Sequence, residues 1–194
     1  MPIGVPKVPY RILGDQTSQW IDIYQRLSRE RVLFLAQDLE EDSTNQLISI
    51  LLYLNADVNQ QDVFIYINST HGSTACGLAI VDTIQYIKSD VNTINIGIAR
   101  SIAAFVVARG NQNKRLSLPN ARFILRQPEN ESMGQATEIF SAAEEIIRLR
   151  VAIGKLYAEF TGKSIAQITR DLDRDDFLSA KQAYEYGIID FVGK

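Results

Sequence analysis

The chain contains 194 residues, of which 46% are apolar, and its formal net charge is −3. This length and apolar content fit one domain with its own core, and the scattered lysines and arginines do not form the basic surface of a nucleic-acid-binding protein. Cys76 is the only cysteine, which excludes an internal disulfide, and the best membrane candidate, residues 94–108, is too short to span a bilayer. We therefore expect a soluble protein in a reducing compartment.

The first residues are rich in proline, with Pro2, Pro6 and Pro9 among the first nine positions. Proline fixes φ and has no backbone N–H, so residues 1–14 are predicted to form an extended tail and residues 15–194 a single domain. Two interpretations of the tail stay open: a disordered terminus, or a segment that docks through its apolar side chains. Those side chains are Ile3, Val5, Val8 and Tyr10.

Helical and strand-like segments alternate over the next hundred residues. Apolar residues recur at helical spacing from Trp20 to Leu27, and Ser43 and Ser73 are positioned to cap two further helices. Compact apolar runs between the helices predict strands, which begin about thirty residues apart, the length of a βαβ unit. This alternation predicts an α/β fold with a mostly parallel sheet and flanking helices. The predicted strands cover residues 32–36, 63–67, 91–97 and 121–126.

The last third of the chain is predicted to be mainly helical. Residues 134–160 lack proline and carry apolar residues at helical spacing, which predicts a helix about 40 Å long. Such a helix is too long to be buried in one small domain, so we expect it to project and pack against another subunit. Ser164 and Ser179 each precede a glutamine by three residues, the capping-box spacing, and Gly187 is placed to end the last helix.

One short segment has the pattern of a catalytic turn. Ser101 lies between small residues in the stretch Gly97–Ala104, where a predicted strand passes into a helix. Small neighbours permit the tight turn of a nucleophile elbow, and the N-terminus of the helix offers backbone N–H groups. The turn after the preceding strand contains Gly72, which can supply a second N–H for an oxyanion.

Several segments resemble the proteolytic subunit of the ATP-dependent Clp protease, in the same order and at the same spacing over essentially the whole chain. The opening residues 1–6 resemble plastid and cyanobacterial members of that family. The resemblance implies a fold shared with the crotonases and a long projecting handle at about residues 130–162. The matching segments are Asp22-Ile23-Tyr24, Arg29-Glu30-Arg31, Tyr66-Ile67-Asn68-Ser69, Asp82-Thr83, Leu118-Pro119-Asn120-Ala121-Arg122, Gln127-Pro128, Gly134-Gln135-Ala136-Thr137 and Arg174-Asp175.

The resemblance assigns Ser101 to the nucleophile and Asp175 to the acid of a serine triad, with Gly72 and Ile102 as oxyanion donors. The base of the family is a histidine at the position of Arg126. A guanidinium group stays protonated and has no lone pair to offer, so Arg126 cannot take the proton of the serine. We therefore expect a subunit that is not an enzyme by itself, similar to the ClpR subunits of photosynthetic organisms. We also expect Arg126 to pair with Asp175.

The resemblance also implies partners. The family forms seven-membered rings that stack in pairs through the handle, and Arg174 is similar to an arginine that contacts a neighbouring subunit. A chain without its base fits a mixed ring with an active paralogue, an AAA+ chaperone of the ClpC type and protein substrates, in the plastid stroma or the cyanobacterial cytosol. No cofactor, metal, nucleic acid or membrane is implied. Positions matching the chaperone-docking cleft are Leu27, Leu52, Tyr53, Tyr66 and Tyr86.

Three alternatives stay open. The first is a working serine peptidase that uses Ser101 with a substitute base, either His71, the only histidine, or a group from a neighbouring subunit. The second is an acyl-CoA-processing enzyme of the related crotonase fold, which the absence of a glutamate near the oxyanion helices disfavours. The third is a purely structural ring subunit. For each residue matched to the docking cleft, ordinary packing in the core is the alternative interpretation.

Overall fold

The computed structural model describes residues 4–11, 19–56, 61–129 and 133–193. Part of the predicted tail therefore lies outside the described residues, as do residues 130–132 of the predicted handle. Two short strands, β1 (Lys7–Tyr10) and β2 (Gln19–Asp22), form an antiparallel pair. The helix predicted from Trp20 is wrong at its start, because the backbone there pairs with the tail and the helix begins only at Ile23. Trp20 itself is 67% exposed.

The main sheet has seven strands and confirms the mostly parallel α/β prediction. Its strands are β3 (Val32–Leu35), β4 (Val63–Ser69), β5 (Val91–Arg100), β6 (Arg115–Ser117), β7 (Arg122–Leu125), β8 (Asp176–Ser179) and β9 (Phe191–Val192). The flanking helices are α1 (Ile23–Arg29), α2 (Glu41–Asn55), α3 (Thr74–Tyr86), α4 (Ile102–Ala108), α5 (Ala136–Thr161), α6 (Ile165–Leu172) and α7 (Ala180–Tyr186).

Strand β5 is the centre of the sheet. It runs parallel to β4, to β6 and, at its C-terminal end, to β7, while β8 joins β7 in the only antiparallel pairing described within this sheet. All seven residues of the following helix α4 are buried, which explains why this segment contains no polar side chain. The C-terminal end of β5 therefore lies between β4 and β7. Ser101 follows it directly and leads into α4.

The long helix α5 confirms the predicted projecting element. Its 26 residues span about 39 Å. The residues buried in it are Ile153, Gly154 and Tyr157, all in its C-terminal half. Its N-terminal half exposes Phe140 and Ile147, at 66% and 60% of their surface. No described helix is both long and apolar enough to cross a membrane.

The predicted helix ends are mostly confirmed. Ser179 forms a capping box with Gln182, and Ser164 accepts a hydrogen bond from the backbone of the third residue of its helix. Gly187 ends α7 at φ 95°, where a Cβ atom would approach a backbone oxygen to 2.8 Å. Ser43 is different: α2 begins earlier, and its side chain closes a capping box from inside the first turn.

A buried ion pair joins the far edge of the sheet to three helix ends. The guanidinium group of Arg115 donates to both carboxylate oxygens of Asp190 at 2.6 and 2.9 Å. Its Nη1 atom also donates to the backbone oxygens of Ala108, Phe160 and Gly187, which lie at the C-terminal ends of α4, α5 and α7. Helix C-termini carry partial negative charge, so the cation stabilises all three ends together.

We expect Asp190→Asn to lower the free energy of unfolding by about 3–5 kcal/mol, because it leaves the Arg115 cation buried without its counter-ion. Burial alone would raise the pKa of Asp190, but the hydrogen bonds and charge of Arg115 outweigh it and hold the pKa below its usual value. The pair therefore stabilises the fold fully above about pH 4, and that contribution is lost as the pH falls through the folded-state pKa.

Urea unfolding between pH 3 and pH 7, at one protein concentration, measures this contribution. Asp173→Asn is the matched control, because it breaks an exposed ion pair with Arg150 and should cost less than about 1 kcal/mol. Equal losses in the two variants would contradict the assigned role of Arg115 and Asp190.

Candidate functional site

The backbone of Ser101 has the strained conformation of a nucleophile elbow. Its φ and ψ are 51° and −113°, a region that non-glycine residues rarely adopt. Its N–H donates to the backbone oxygen of Ile124 in β7 at 2.8 Å, which holds the turn against the sheet. The side chain is half-buried, and helix α4 begins at the next residue. The predicted strand–turn–helix context of Ser101 is therefore present.

The two predicted oxyanion residues lie side by side. A Cβ atom added to Gly72 would approach the side chains of Leu39 and Ile102 to 2.5 and 3.1 Å, so only glycine fits this close contact. A parallel bridge between Leu39 and Gly72 fixes the turn. The first N–H groups of a helix have no partner inside it, which leaves the N–H of Ile102 available as a donor.

The predicted ion pair between Arg126 and Asp175 is present, but the carboxylate is not buried. The Nε atom of Arg126 lies 3.2 Å from Oδ1 of Asp175, whose side chain is 34% exposed. The carboxylate is partly open to solvent because Asp175 lies at the edge of the sheet, just before β8. Two neighbours were not predicted. Arg100 approaches Oδ2 of Asp175 to 3.5 Å, and Glu129 pairs with Arg126 at 2.7 Å.

The i,i+3 spacing of Glu129 to Arg126 was a signal in the sequence that could have indicated their pairing. The pairing of Arg100 with Asp175 had no comparable signal apart from the position of Arg100 next to Ser101, because Asp175 is 75 residues away along the chain.

His71 is exposed in the turn that contains Gly72. Its Nδ1 atom lies 2.9 Å from Oγ1 of Thr70 and 3.9 Å from the nearer carboxylate oxygen of Asp38. Its backbone oxygen accepts hydrogen bonds from the hydroxyl of Ser69, at the end of β4, and from the N–H of Leu39, after β3. Within the described residues it makes no hydrogen bond to Ser101. The fold therefore brings the turn of His71 to the elbow without joining the two side chains.

Most residues matched to the docking cleft are on the surface. Leu52, Tyr53 and Tyr86 are 43%, 79% and 75% exposed, which excludes core packing for these three. Leu27 and Tyr66 are half-buried. The ring of Tyr66 stacks on Phe34 with centroids 5.4 Å apart, a contact that was not predicted.

Arg174, the residue matched to the ring contact, is exposed. In the described part of the chain it forms no ion pair.

Curated relatives match almost the whole chain. A protein of Oltmannsiellopsis viridis is 56% identical over 192 residues, covering 99% of this chain and 98% of its own length. A protein of Chlorella vulgaris is 51% identical, covering 99% and 96%, and one of Ostreococcus tauri is 48% identical with the same coverage. Each carries the name ATP-dependent Clp protease proteolytic subunit.

These names overturn one expectation. We expected a chain that is not an enzyme by itself, but its close relatives are named as proteolytic subunits. The expectation was wrong because it rested on position 126 alone. The strained elbow at Ser101 is present although position 126 is arginine, and an imidazole is present elsewhere, at His71.

The comparison with family models agrees with the observed fold. The family model described as Clp protease matches residues 15–194. The match includes the strand, elbow and helix around Ser101, the turn at Gly72 and the segment of Asp175. The chain therefore belongs to the Clp protease family.

Proposed function

We propose that this chain is a proteolytic subunit in the core of an ATP-dependent Clp protease and that it cleaves peptide bonds with Ser101 as the nucleophile. The observation that carries the proposal is the elbow, in which a non-glycine residue keeps a φ of 51° at the end of β5. Gly72 and Ile102 lie beside it, and their N–H groups are the proposed oxyanion donors. Relatives named as proteolytic subunits support the same activity.

In the proposed reaction, Oγ of Ser101 attacks the peptide carbonyl carbon while a base takes the hydroxyl proton. The base returns that proton to the leaving amine as the peptide C–N bond breaks, and water then hydrolyses the acyl-enzyme. Arg126 cannot be the base, because its guanidinium group remains protonated at any working pH. Its proposed role is to hold Asp175 and thereby the ends of β7 and β8.

His71 is the base that we assign to this chain. It precedes Gly72, which packs against Ile102, so its side chain starts close to the elbow. Thr70 and Asp38 lie on the Nδ1 side of the ring, which leaves Nε2 as the nitrogen for the serine proton. The exposed ring has to rotate toward Ser101 when substrate binds, and catalytic hydrogen bonds commonly tighten only in that complex.

Hydrolysis of a fluorogenic peptide and labelling by a serine-reactive phosphonate test this assignment. We expect Ser101→Ala to abolish both, and His71→Ala to lower turnover by about 10²–10⁴-fold, the usual contribution of a general base. Arg126→His should raise turnover about 100-fold or more, because it places an imidazole beside Asp175.

Thr169→Ala, which removes an exposed hydroxyl on α6, is the control and should change neither readout. Turnover that survives Ser101→Ala would contradict the proposed nucleophile. Turnover that survives His71→Ala but not Ser101→Ala would instead indicate a base from a neighbouring subunit.

The proposed assembly is a mixed seven-membered ring with an active paralogue, stacked on a second ring. The exposed apolar residues in the N-terminal half of α5 support stacking, because such a surface is expected to be covered by another subunit. Arg174 is exposed and is the proposed contact to the neighbour within a ring. We place this core in the plastid stroma or the cyanobacterial cytosol, where protein substrates reach it.

The proposed chaperone is an AAA+ partner of the ClpC type that docks on the cleft residues. The exposure of Leu52, Tyr53 and Tyr86 supports this surface, since large apolar side chains in water mark interaction sites. The half-buried Leu27 and Tyr66 would form the floor of the same cleft.

Replacing both Tyr53 and Tyr86 by serine should slow chaperone-dependent degradation of a folded protein substrate at least tenfold, because exposed aromatic residues commonly dominate docking energy. Hydrolysis of a short peptide, which needs no chaperone, should change little. Tyr184→Ser is the control, because it removes another exposed tyrosine, which lies on α7. Equal degradation rates in the double variant and in Tyr184→Ser would contradict the docking surface.

A further inference from the structure

The strained backbone of Ser101 needs groups that hold it. A residue in a sparsely populated φ, ψ region costs about 1–3 kcal/mol and persists only where its surroundings fix it. Two backbone hydrogen bonds do so: the N–H of Ser101 donates to Ile124, and its carbonyl oxygen accepts from the N–H of Phe105 at 3.2 Å. Both come from elements that adjoin the elbow, β7 and α4.

A third contact comes from the long helix. The hydroxyl of Tyr157 in α5 donates to the same carbonyl oxygen of Ser101 at 3.5 Å. The ring of Tyr157 is 2% exposed and packs edge-on against Phe105, with centroids 5.1 Å apart. A buried phenol hydroxyl usually has a hydrogen-bond partner, and among the described residues the oxygen of Ser101 is that partner.

The hydroxyl of Tyr157 keeps its proton at any working pH. Burial raises the pKa of Tyr157, and the nearby Tyr186 raises it further. The group is therefore a permanent donor toward Ser101.

We propose that Tyr157 is a positioning residue for the nucleophile: its hydroxyl anchors the backbone of Ser101 to α5 and so stabilises the elbow. The catalytic consequence rests on the proposed function, in which Ser101 attacks the substrate, whereas the effect on the backbone does not. The anchor lies in the C-terminal half of α5, where the helix contacts the core, so it ties the base of the projecting helix to the nucleophile.

Tyr157→Phe tests the proposal, because it removes the hydroxyl and keeps the packing against Phe105. Tyr186→Phe is the matched control: it removes a tyrosine hydroxyl that donates to Asp171 at 2.7 Å and that forms no hydrogen bond to the elbow among the described residues. We expect amide hydrogen exchange at Ser101 and Phe105 to become roughly twofold faster in Tyr157→Phe only, because a hydrogen bond of 3.5 Å is long and lies at the weak end of the usual range.

The rate of phosphonate labelling at Ser101 should fall by a similar factor, about twofold, and kcat for peptide hydrolysis should fall with KM unchanged. Unchanged exchange at the elbow in Tyr157→Phe, or the same change in Tyr186→Phe, would overturn the positioning role. Faster exchange at the elbow in Tyr157→Phe, with no labelling in any variant, would support the positioning role and contradict the proposed function.

Discussion

One buried cation holds together the part of the molecule that carries the site. Arg115 pairs with Asp190 across strands β6 and β9 and also binds the C-terminal ends of α4, α5 and α7. Because α4 starts at the elbow and ends on Arg115, the helix is fixed at both ends. Helix α5 is fixed in the same way near Phe160, one turn beyond Tyr157. The helix that begins after Ser101 is thus held at its other end by a buried charge.

The length of β5 determines which residues meet at the site. A strand of ten residues is long enough to pair with β6 near its start and with β7 near its end. Strand β8 then adds antiparallel to β7 and brings Asp175 to the same edge. Arg100, Arg126 and Asp175 thus come together from segments up to 75 residues apart. Arg100 and Arg126 both pair with the carboxylate of Asp175, so its charge is balanced without an imidazole.

The conformation of the proposed nucleophile and the supply of its base depend on different residues. The elbow requires small neighbours, the N-terminus of a buried helix and hydrogen bonds from β7 and α5, none of which involves position 126. A base requires an imidazole within reach, and the turn at His71 passes beside the same helix N-terminus. The proposed nucleophile therefore has its strained conformation in a chain that carries arginine at position 126.

Local patterns in the sequence determined the alternation of strands and helices, the long helix α5, the caps at Ser164 and Ser179, and the elbow, because these depend on periodicity and on neighbours a few residues apart. Only the tertiary structure decided which segments face one another. The apolar spacing at Trp20 suited a helix, yet pairing with the tail made it a strand.

The partners of the charged groups, Arg100 with Asp175 and Arg115 with Asp190, followed from strand order, as did the contact from Tyr157 to Ser101. Exposure also depended on packing, since Tyr53 and Tyr157 are the same residue type and one is open to solvent while the other is buried. The physical reason is that short-range preferences act along the chain, whereas burial and charge pairing are fixed only when distant segments pack together.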